Sequence, residues 1–388
     1  MPRNFISSRL FRRGCLFLSL MLFWITGNCT EVAFAGFSYS GEKQSIGARF
    51  PYTAEYEKTL GDRKINGLLQ PALLSVQPKN FTLIPRIDNL VGRDQAVAVA
   101  LVVTSETVST EQIGDIYKLL VQVRAQTLFF DFKSMMVLAA YPMSFAYIDQ
   151  LSNPPTEMDK LRDIGYVYNG INGKPGIISR FTQTLATANL PSSASKFVQV
   201  TKVDIGDDAR VEFPEQFKNG EAETWIADSL SEAISTKMNV PVLPFKKGYA
   251  IGNTLSFTVS DGSVYSLKIP DPDYDISINL TKLKKVNYEE QAAGKSVIYA
   301  TYTTIKLELP GSKSYLDANF KNGEVKIVPS TQVDTDDFPA FQDSILGLLN
   351  KLAGVISGDG NPWLKAAASG DNVDKQIIAT RELLQSCR

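Results

Sequence analysis

The sequence predicts an α/β (α+β) protein of two similar domains, each a mixed sheet with a long hairpin and two packing helices. Three observations lead to this prediction. A long segment at 115–132 alternates apolar with polar residues, a second segment at 294–310 has the same pattern, and stripes of helical spacing flank each of them. With 388 residues, of which 44% are hydrophobic, the chain is long enough for more than one core.

The first 35 residues have the pattern of a secretory signal peptide. Basic residues precede an apolar run of about a dozen residues, and the small residues Ala33 and Ala35 flank Phe34 at the expected cleavage site. The run is shorter than the roughly 20 residues of a spanning helix, which favours cleavage after Ala35 over retention as a membrane anchor. Cys29 follows Asn28 rather than a small residue, which disfavours a lipid anchor. The sequence therefore predicts a periplasmic or secreted protein with no transmembrane helix after cleavage.

The charge of the chain beyond the predicted leader bears on its possible partners, and its cysteine content bears on how it is stabilised. Cleavage after Ala35 removes four of the 40 basic residues and one of the 41 acidic residues, which leaves 36 and 40. Because this balance provides no basic field for phosphates, nucleic acid is not a predicted partner. Cys387 is the one cysteine beyond the leader, so an intramolecular disulfide is not predicted and stability must come from packing.

The segment at 115–132 is predicted to be a long strand. Val121, Val123 and Ala125 alternate with polar residues, which is typical of a half-buried strand. Leu128 and Phe130 continue the alternation in the opposite parity. This switch indicates either a bulge or a strand that passes from one core to another.

The second half of the chain repeats this pattern. Ile305 and Leu307 lie 177 residues after Leu128 and Phe130, and the preceding strands "AVALVV" and "YDISINL" repeat at the same offset. Amphipathic stripes at 177–188 and 341–356 predict a closing helix for each copy. Five elements in the same order predict an internal duplication.

A hairpin inserted in the second half accounts for the difference in length between the copies. The segment "LSFTVSDGSVYSLKI" has two alternating runs, and Asp261-Gly262 supplies the turn between them. An initial strand is expected before each copy, near "IGARFPY" and "FVQVTKV". The resulting organisation is a signal peptide at 1–35, a first domain at 36–204, a polar linker at 205–222, a second domain at 223–357 and a tail with a short helix at 358–388.

This order of elements resembles the small α/β domain shared by the curli-secretion lipoproteins and the N-terminal domain of the Tol β-propeller protein. The resemblance covers most of 45–200 and 197–356, is topological, and carries no signature motif. It implies an assembly or accessory role in the cell envelope without catalysis. It transfers no functional residue to this sequence, which also lacks the lipidation box of many members of the group.

The sequence offers little for catalysis or metal binding. It contains no histidine, which excludes Ser-His-Asp and Cys-His nucleophiles and the commonest zinc ligand, and it has no Gly-rich phosphate loop. Asp271, Asp273 and Asp275 alternate as calcium ligands can, but the glycine and glutamate of a calcium loop are missing. They are kept as weak metal candidates and interpreted as solvated turn residues. No catalytic residue and no cofactor are predicted.

The candidate binding residues are Tyr141, Phe145 and Tyr147, an aromatic strip on one strand. Pro142 favours a position at the edge of a sheet, where a partner or a second copy could add a strand. The alternative interpretation is that these aromatic side chains belong to the core.

The preferred function is therefore an exported accessory or scaffold protein of the cell envelope that acts through protein–protein contacts, with envelope proteins or itself as partner. One alternative is a periplasmic module that binds a glycan or a peptide through the aromatic strip. A second is a hydrolase that uses two carboxylates in one cleft, at least one of them with a raised pKa.

Overall fold

The computed structural model describes residues 30–84, 97–113, 115–190, 196–217, 220–246, 250–251, 254–259, 264–292, 294–312, 314–330, 336–360 and 362–387. The described residues form two units, each with a sheet and a layer of helices. Within this part of the chain, no helix is both long and apolar enough to cross a membrane.

The first unit contains the following elements: β1 (Glu31–Ser40), α1 (Ile46–Arg49), α2 (Pro51–Thr59), α3 (Lys64–Leu74), β2 (Thr82–Ile84), β3 (Val97–Ile113), β4 (Ile116–Asp131), β5 (Met136–Leu151), α4 (Glu157–Asn169) and α5 (Ile177–Thr187).

The second unit contains the following elements: β6 (Val198–Ile205), α6 (Asp207–Arg210), α7 (Glu221–Met238), β7 (Ala250–Ile251), β8 (Thr254–Val259), β9 (Val264–Lys268), β10 (Tyr274–Gln291), β11 (Gly294–Glu308), β12 (Ser314–Pro329), α8 (Phe338–Ser357), α9 (Trp363–Ala367), β13 (Ala368–Ser369) and α10 (Val373–Gln385).

The two units share one topology. In the first, β1 pairs in parallel with β3, and β3, β4 and β5 form an antiparallel meander. In the second, β6 pairs in parallel with β10, and β10, β11 and β12 repeat the meander. Helices cover one face of each sheet, and each unit has its own large apolar core. The predicted α/β fold, with mixed sheets and long hairpins, is confirmed.

The predicted inserted hairpin is present as β8 and β9, but it completes the sheet of the first unit. Strand β9 pairs with β5 at Met136 and Lys268, and β8 pairs with β1 through Ser38–Ser40. The pairings β1–β3–β4–β5–β9–β8 therefore return to β1 and close a ring of six strands. The predicted Asp261-Gly262 turn lies outside the described residues.

The ring encloses a second apolar core on the face of the first sheet that the helices do not cover. The buried side chains inside it come from both units: Ala98, Ala100, Val102, Leu128, Phe130, Val137, Ala140, Leu243, Leu255, Phe257, Leu267 and Ile269. Strand β4 is consequently buried on both faces over its second half.

This second core explains the change of parity along β4. Val121, Val123 and Ala125 face the helices, whereas Leu128 and Phe130 face the interior of the ring. The predicted passage of the strand between two cores is confirmed.

The predicted 177-residue offset matches β3 with β10 but is one residue short for β4 and β11. Val99 on β3 pairs with Phe129 on β4, and its counterpart Ile276 on β10 pairs with Leu307 on β11. Phe129 and Leu307 are 178 residues apart. Because side chains alternate between faces, a one-residue slip exchanges the two sides of a strand.

Two predicted boundaries at the N-terminus require correction. Strand β1 contains the predicted cleavage site after Ala35, and Val32 and Ala33 are fully buried and paired with β2 and β3. A cut after Ala35 would remove half of a strand that two neighbours hold. The initial strand expected near "IGARFPY" is also wrong, because that segment forms α1 and the start of α2. The rest of the predicted leader, residues 1–29, lies outside the described residues.

The predicted linker and tail are parts of the second unit. Within 205–222, Ala209 and Phe213 are buried in the second core. In the tail, Leu383, Leu384 and Cys387 are buried in the same core. Apolar positions in these polar segments therefore hold them against the sheet, which the overall composition of the segments did not indicate.

Candidate functional site: a groove between the two units

Helix α7 joins the two units. It packs against β6 and α8 of the second unit and against β5 of the first. Thirteen of its 18 residues are buried, so it has no broad solvent face. Small residues, among them Ala227, Ser231 and Ser235, allow the close approach of elements on more than one side.

A buried polar network fixes α7 to the first sheet. Arg124 on β4 is 6% exposed, and its Nη2 donates a hydrogen bond to Ser229 Oγ at 3.0 Å. Its Nη1 lies 3.6 Å from Glu232 Oε2. The other oxygen of Glu232 accepts hydrogen bonds from both the backbone N–H and the hydroxyl of Ser144, each at 2.8 Å. Arg124 and Ser144 lie on neighbouring strands, so the network holds the first sheet at a fixed position on α7.

A small cavity adjoins this network. It has a volume of about 20 Å³, is lined by Arg124, Gln126, Asp228 and Glu232 among others, and is large enough for one water molecule. The buried Nε of Arg124 has no hydrogen-bond partner among the described residues. A bound water would satisfy this donor.

A larger groove of about 510 Å³ opens between the units next to Arg124. One wall is the outer part of the β3–β4 hairpin, including Ser105–Glu111, Leu120 and Gln122. The other wall is built by Phe217 and by the first turns of α7 and α8. The volume falls within the roughly 300–1,000 Å³ of sites that bind small ligands or short segments.

The second wall is aromatic. The ring of Phe217 lies 4.8 Å from that of Phe338 and 5.9 Å from that of Trp225, between ring centroids. Trp225 and Phe338 are 8% and 7% exposed, so neither offers an open ring face to the groove. This arrangement suits apolar side chains better than a sugar ring, which stacks on an exposed aromatic face.

Acidic residues outnumber basic ones around the groove. Lys118 pairs with Glu111 at 3.4 Å, and Arg124 is engaged with Glu232. The acidic residues that line the groove are Glu106, Glu111, Glu221, Asp228 and Asp336, against the two basic residues Lys118 and Arg124. The groove therefore combines an apolar wall with a negative surface.

The carboxylates of Glu106 and Asp336 cap helices. Glu106 accepts hydrogen bonds from the backbone N–H groups of Tyr52 and Thr53 at 2.8 and 2.7 Å, at the start of α2. Burial raises the pKa of Glu106, although these hydrogen bonds oppose the shift. Asp336 accepts from the N–H of Phe338 at the start of α8. Both carboxylates are therefore engaged with backbone N–H groups at the starts of helices.

The predicted aromatic strip is not an exposed strip. Tyr141 is 3% exposed, and its hydroxyl donates to the carbonyl of Asn189 at 2.9 Å and accepts from the N–H of the same residue at 3.1 Å. Phe145 and Tyr147 are half-buried and pack against the same core. The parity of the three residues places them on the helix-covered face, as in the alternative interpretation that they belong to the core.

This strand is not at the predicted edge of the sheet, because it lies between β4 and β9. Strand β5 pairs with β4 along its length and with β9 only at Met136. Beyond that point its edge is partly covered, because Val242 donates its N–H to the carbonyl of Ala140 at 3.0 Å and Glu232 binds the N–H of Ser144.

The three metal candidates do not converge. Asp271 pairs with Lys246 at 3.1 Å, and Asp273 accepts hydrogen bonds from Lys196 and from the N–H of Phe197. Burial raises the pKa of Asp275. No group of three or more carboxylate or thiol side chains suited to a metal is found within the described ranges.

Sequence reasoning did not identify the groove. Arg124, whose neighbours in the sequence are those of an ordinary strand, lies at the boundary of the two units. The available signal was α7 itself, because Ala222, Ala227 and Ala233 extend its apolar surface beyond one stripe, and a helix that is apolar on several sides is covered on several sides.

Comparisons with known proteins do not assign the chain to a family. No family model matches the sequence, and no curated protein matches it. Among solved structures, the crystal structure of a Xanthomonas campestris protein from the family DUF330 is similar over 43% of this chain and 91% of its own, at 15% identity and a TM-score of 0.23. A score this low supports no conclusion about fold or function. The resemblance to the curli-secretion and Tol domains is not confirmed by these comparisons.

Proposed function

We propose that this protein is a non-catalytic scaffold protein of the cell envelope that binds a polypeptide segment of a partner in the groove between its units. The observation that carries the proposal is the groove itself, with an aromatic wall on one side, a hairpin on the other and a surplus of carboxylates around it. Export and an envelope location rest on the leader-like sequence of residues 1–35.

The chemistry of the groove defines the segment it would take. Leu120, Trp225 and Phe338 line the groove and provide contacts for apolar side chains. Glu221 is exposed at the first turn of α7 and attracts Lys or Arg side chains at the rim. A short segment that combines apolar and basic residues therefore complements the groove, with the charged part of the attraction weakened by salt.

Selection from a library of random peptides displayed on phage would test this proposal. Peptides enriched in basic residues next to aromatic or aliphatic residues are expected, and their binding should weaken as ionic strength rises. Leu120→Lys places a charge on the wall of the groove and should reduce affinity at least tenfold. Ile148→Lys is the matched control, because Ile148 is 54% exposed on β5 and does not line the groove.

Removing negative charges from the rim of the groove should weaken peptide binding less than Leu120→Lys does. Glu221→Gln combined with Asp336→Asn removes two charges and keeps an amide oxygen that can accept from the N–H of Phe338. Glu382→Lys on the exposed surface of α10 changes charge elsewhere and should leave binding unchanged. If selected peptides bind Leu120→Lys as tightly as the parent protein, the groove is not their site and the proposal fails.

A further inference from the structure

We propose that two copies of this chain associate through the outer edge of β12, which pairs antiparallel with the same strand of the second copy about a two-fold axis at Val325. This surface is separate from the groove, and the proposal does not depend on the proposed function.

The last strands of the two meanders, β5 and β12, are protected differently on their outer sides. Strand β5 is covered by β9, by Val242 and by Glu232. Strand β12 pairs with β13 only at Asn319 and Phe320. From Lys321 to Pro329, no described strand lies on its outer side. An unpaired edge of this length is a template for another strand.

The backbone of this edge is oriented for pairing. The N–H of Asp317 points outward and donates to Gln376 Oε1 at 2.7 Å. The ladder between β11 and β12 has no register shift from Leu316 to Pro329, so residues of the same parity as Asp317 present their N–H and C=O groups to the free edge. Gly323, Val325 and Ile327 are these residues.

The side chains select one register. With the axis at Val325, Glu324 lies opposite Lys326 of the second copy, and the same pair forms a second time by symmetry. An axis at Glu324 would place two carboxylates opposite each other, and an axis at Lys326 would place two ammonium groups opposite each other. Like charges directly opposite one another destabilise a sheet, so of these three registers the axis at Val325 is the complementary one.

The intramolecular partners of these charges extend the complementarity. Glu324 lies 3.3 Å from Lys351, and Lys326 lies 2.5 Å from Asp343. The proposed pairing therefore builds a chain of alternating charges on the side of the sheet that carries α8.

The opposite face of the edge is apolar and exposed. Val325 is 59% exposed and Ile327 is 77% exposed. In the proposed register, Val325 meets its own copy, and Ile327 lies across from Gly323, which has no side chain to obstruct it. Ile298 borders this position, since it lies 3.2 Å from where a Cβ of Gly323 would be. Pairing thus covers two large apolar side chains on each copy.

Sedimentation and cysteine trapping of the full chain test the proposal. A concentration-dependent dimer is expected, and Val325→Lys should weaken it at least tenfold by placing two like charges on the axis. Glu324→Lys should also weaken it, whereas Glu324→Lys combined with Lys326→Glu restores opposite charges across the axis and should recover the dimer.

Val325→Cys should form an intermolecular disulfide, because directly opposite residues of antiparallel strands have a Cα separation that a disulfide can bridge. Val211→Cys, at a position 78% exposed and remote from β12, is the matched control and should not crosslink. A strict monomer at about 0.1 mM, roughly a hundredfold above a micromolar Kd, would overturn the proposal. A dimer that Val325→Lys leaves intact would overturn it as well.

Discussion

Arg124 on β4 and Glu232 on α7 form an ion pair across the boundary of the two units, with 3.6 Å between Nη1 and Oε2. Because the Arg124 side chain is almost fully buried, removing Glu232 would leave its charge with fewer partners in a region of low dielectric constant. The loss of stability when this pair is broken therefore measures how strongly it holds the two units together.

We expect Glu232→Ala to lower the free energy of unfolding by about 3 kcal/mol, since it leaves the buried charge of Arg124 without its ion-pair partner. Urea denaturation would measure this loss. Lys202→Ala, which removes an exposed ion pair with Asp204, should change stability little. Equal effects of the two substitutions would show that the Arg124 network contributes no more than a surface pair.

A second prediction concerns Tyr39 and Glu57 in the first core. The hydroxyl of Tyr39 donates to Glu57 Oε2 at 2.7 Å, and both residues are buried. Tyr39→Phe leaves that carboxylate oxygen without its donor and should cost about 1–3 kcal/mol of stability. Tyr288→Phe, at a position 70% exposed, is the control. Thermal unfolding of both variants would decide whether the hydrogen bond contributes as expected.

The burial of Asp163 should make the stability of the folded protein depend on pH. Asp163 is fully buried on α4, and burial raises the pKa of its carboxyl above the ordinary value although Arg162 opposes the shift. Above pH 3.8 the unfolded chain loses this proton while the folded chain still holds it. Stability therefore falls as the pH rises until the raised pKa of the folded state has been passed, and it stays at that lower level above it.

Asp163→Asn should therefore flatten the dependence of stability on pH in that window while its amide oxygen still accepts from Arg162. Urea midpoints measured at several pH values would show this. An unchanged slope in the variant would contradict the assignment.

Cys387 should be unreactive in the folded protein. Its side chain is buried in the second core, and burial raises the pKa of its thiol to about 11. At pH 8 only roughly a thousandth of the thiol is then ionised, and alkylation requires the thiolate. Mass spectrometry should find the peptide that contains Cys387 unmodified after iodoacetamide treatment in buffer and modified in urea. Rapid labelling in buffer would show that the C-terminal segment opens.

Local patterns in the sequence predicted the helices and strands better than their positions and packing partners in the fold. The alternation of Val121, Val123 and Ala125 is a local property, and it predicted the strand and even the change between two cores. The partner of Arg124 could not be predicted, because Ser229 lies 105 residues away and nothing near Arg124 indicates α7. The parity of Tyr141 identified its face of the strand, but which face becomes covered depends on the packing of the helices.

The hairpin of β8 and β9 shows the same limit on a larger scale. Its turn and alternation predicted two paired strands, whereas its position in the sheet of the other unit depends on the edges of β1 and β5. Backbone pairing carries little sequence information, so a hairpin can be recognised without its neighbours being known.

The closed ring of strands also determines when the core of the first unit can be completed during synthesis. The inner face of the first sheet, with Leu128 and Phe130, stays uncovered until β8 and β9 have emerged, more than a hundred residues later. A ribosome adds roughly 5–20 residues per second, so this apolar face is open to aggregation for several seconds. In the nascent first unit this apolar face is therefore a surface that a chaperone would shield, and export of the unfolded chain would avoid that exposed state.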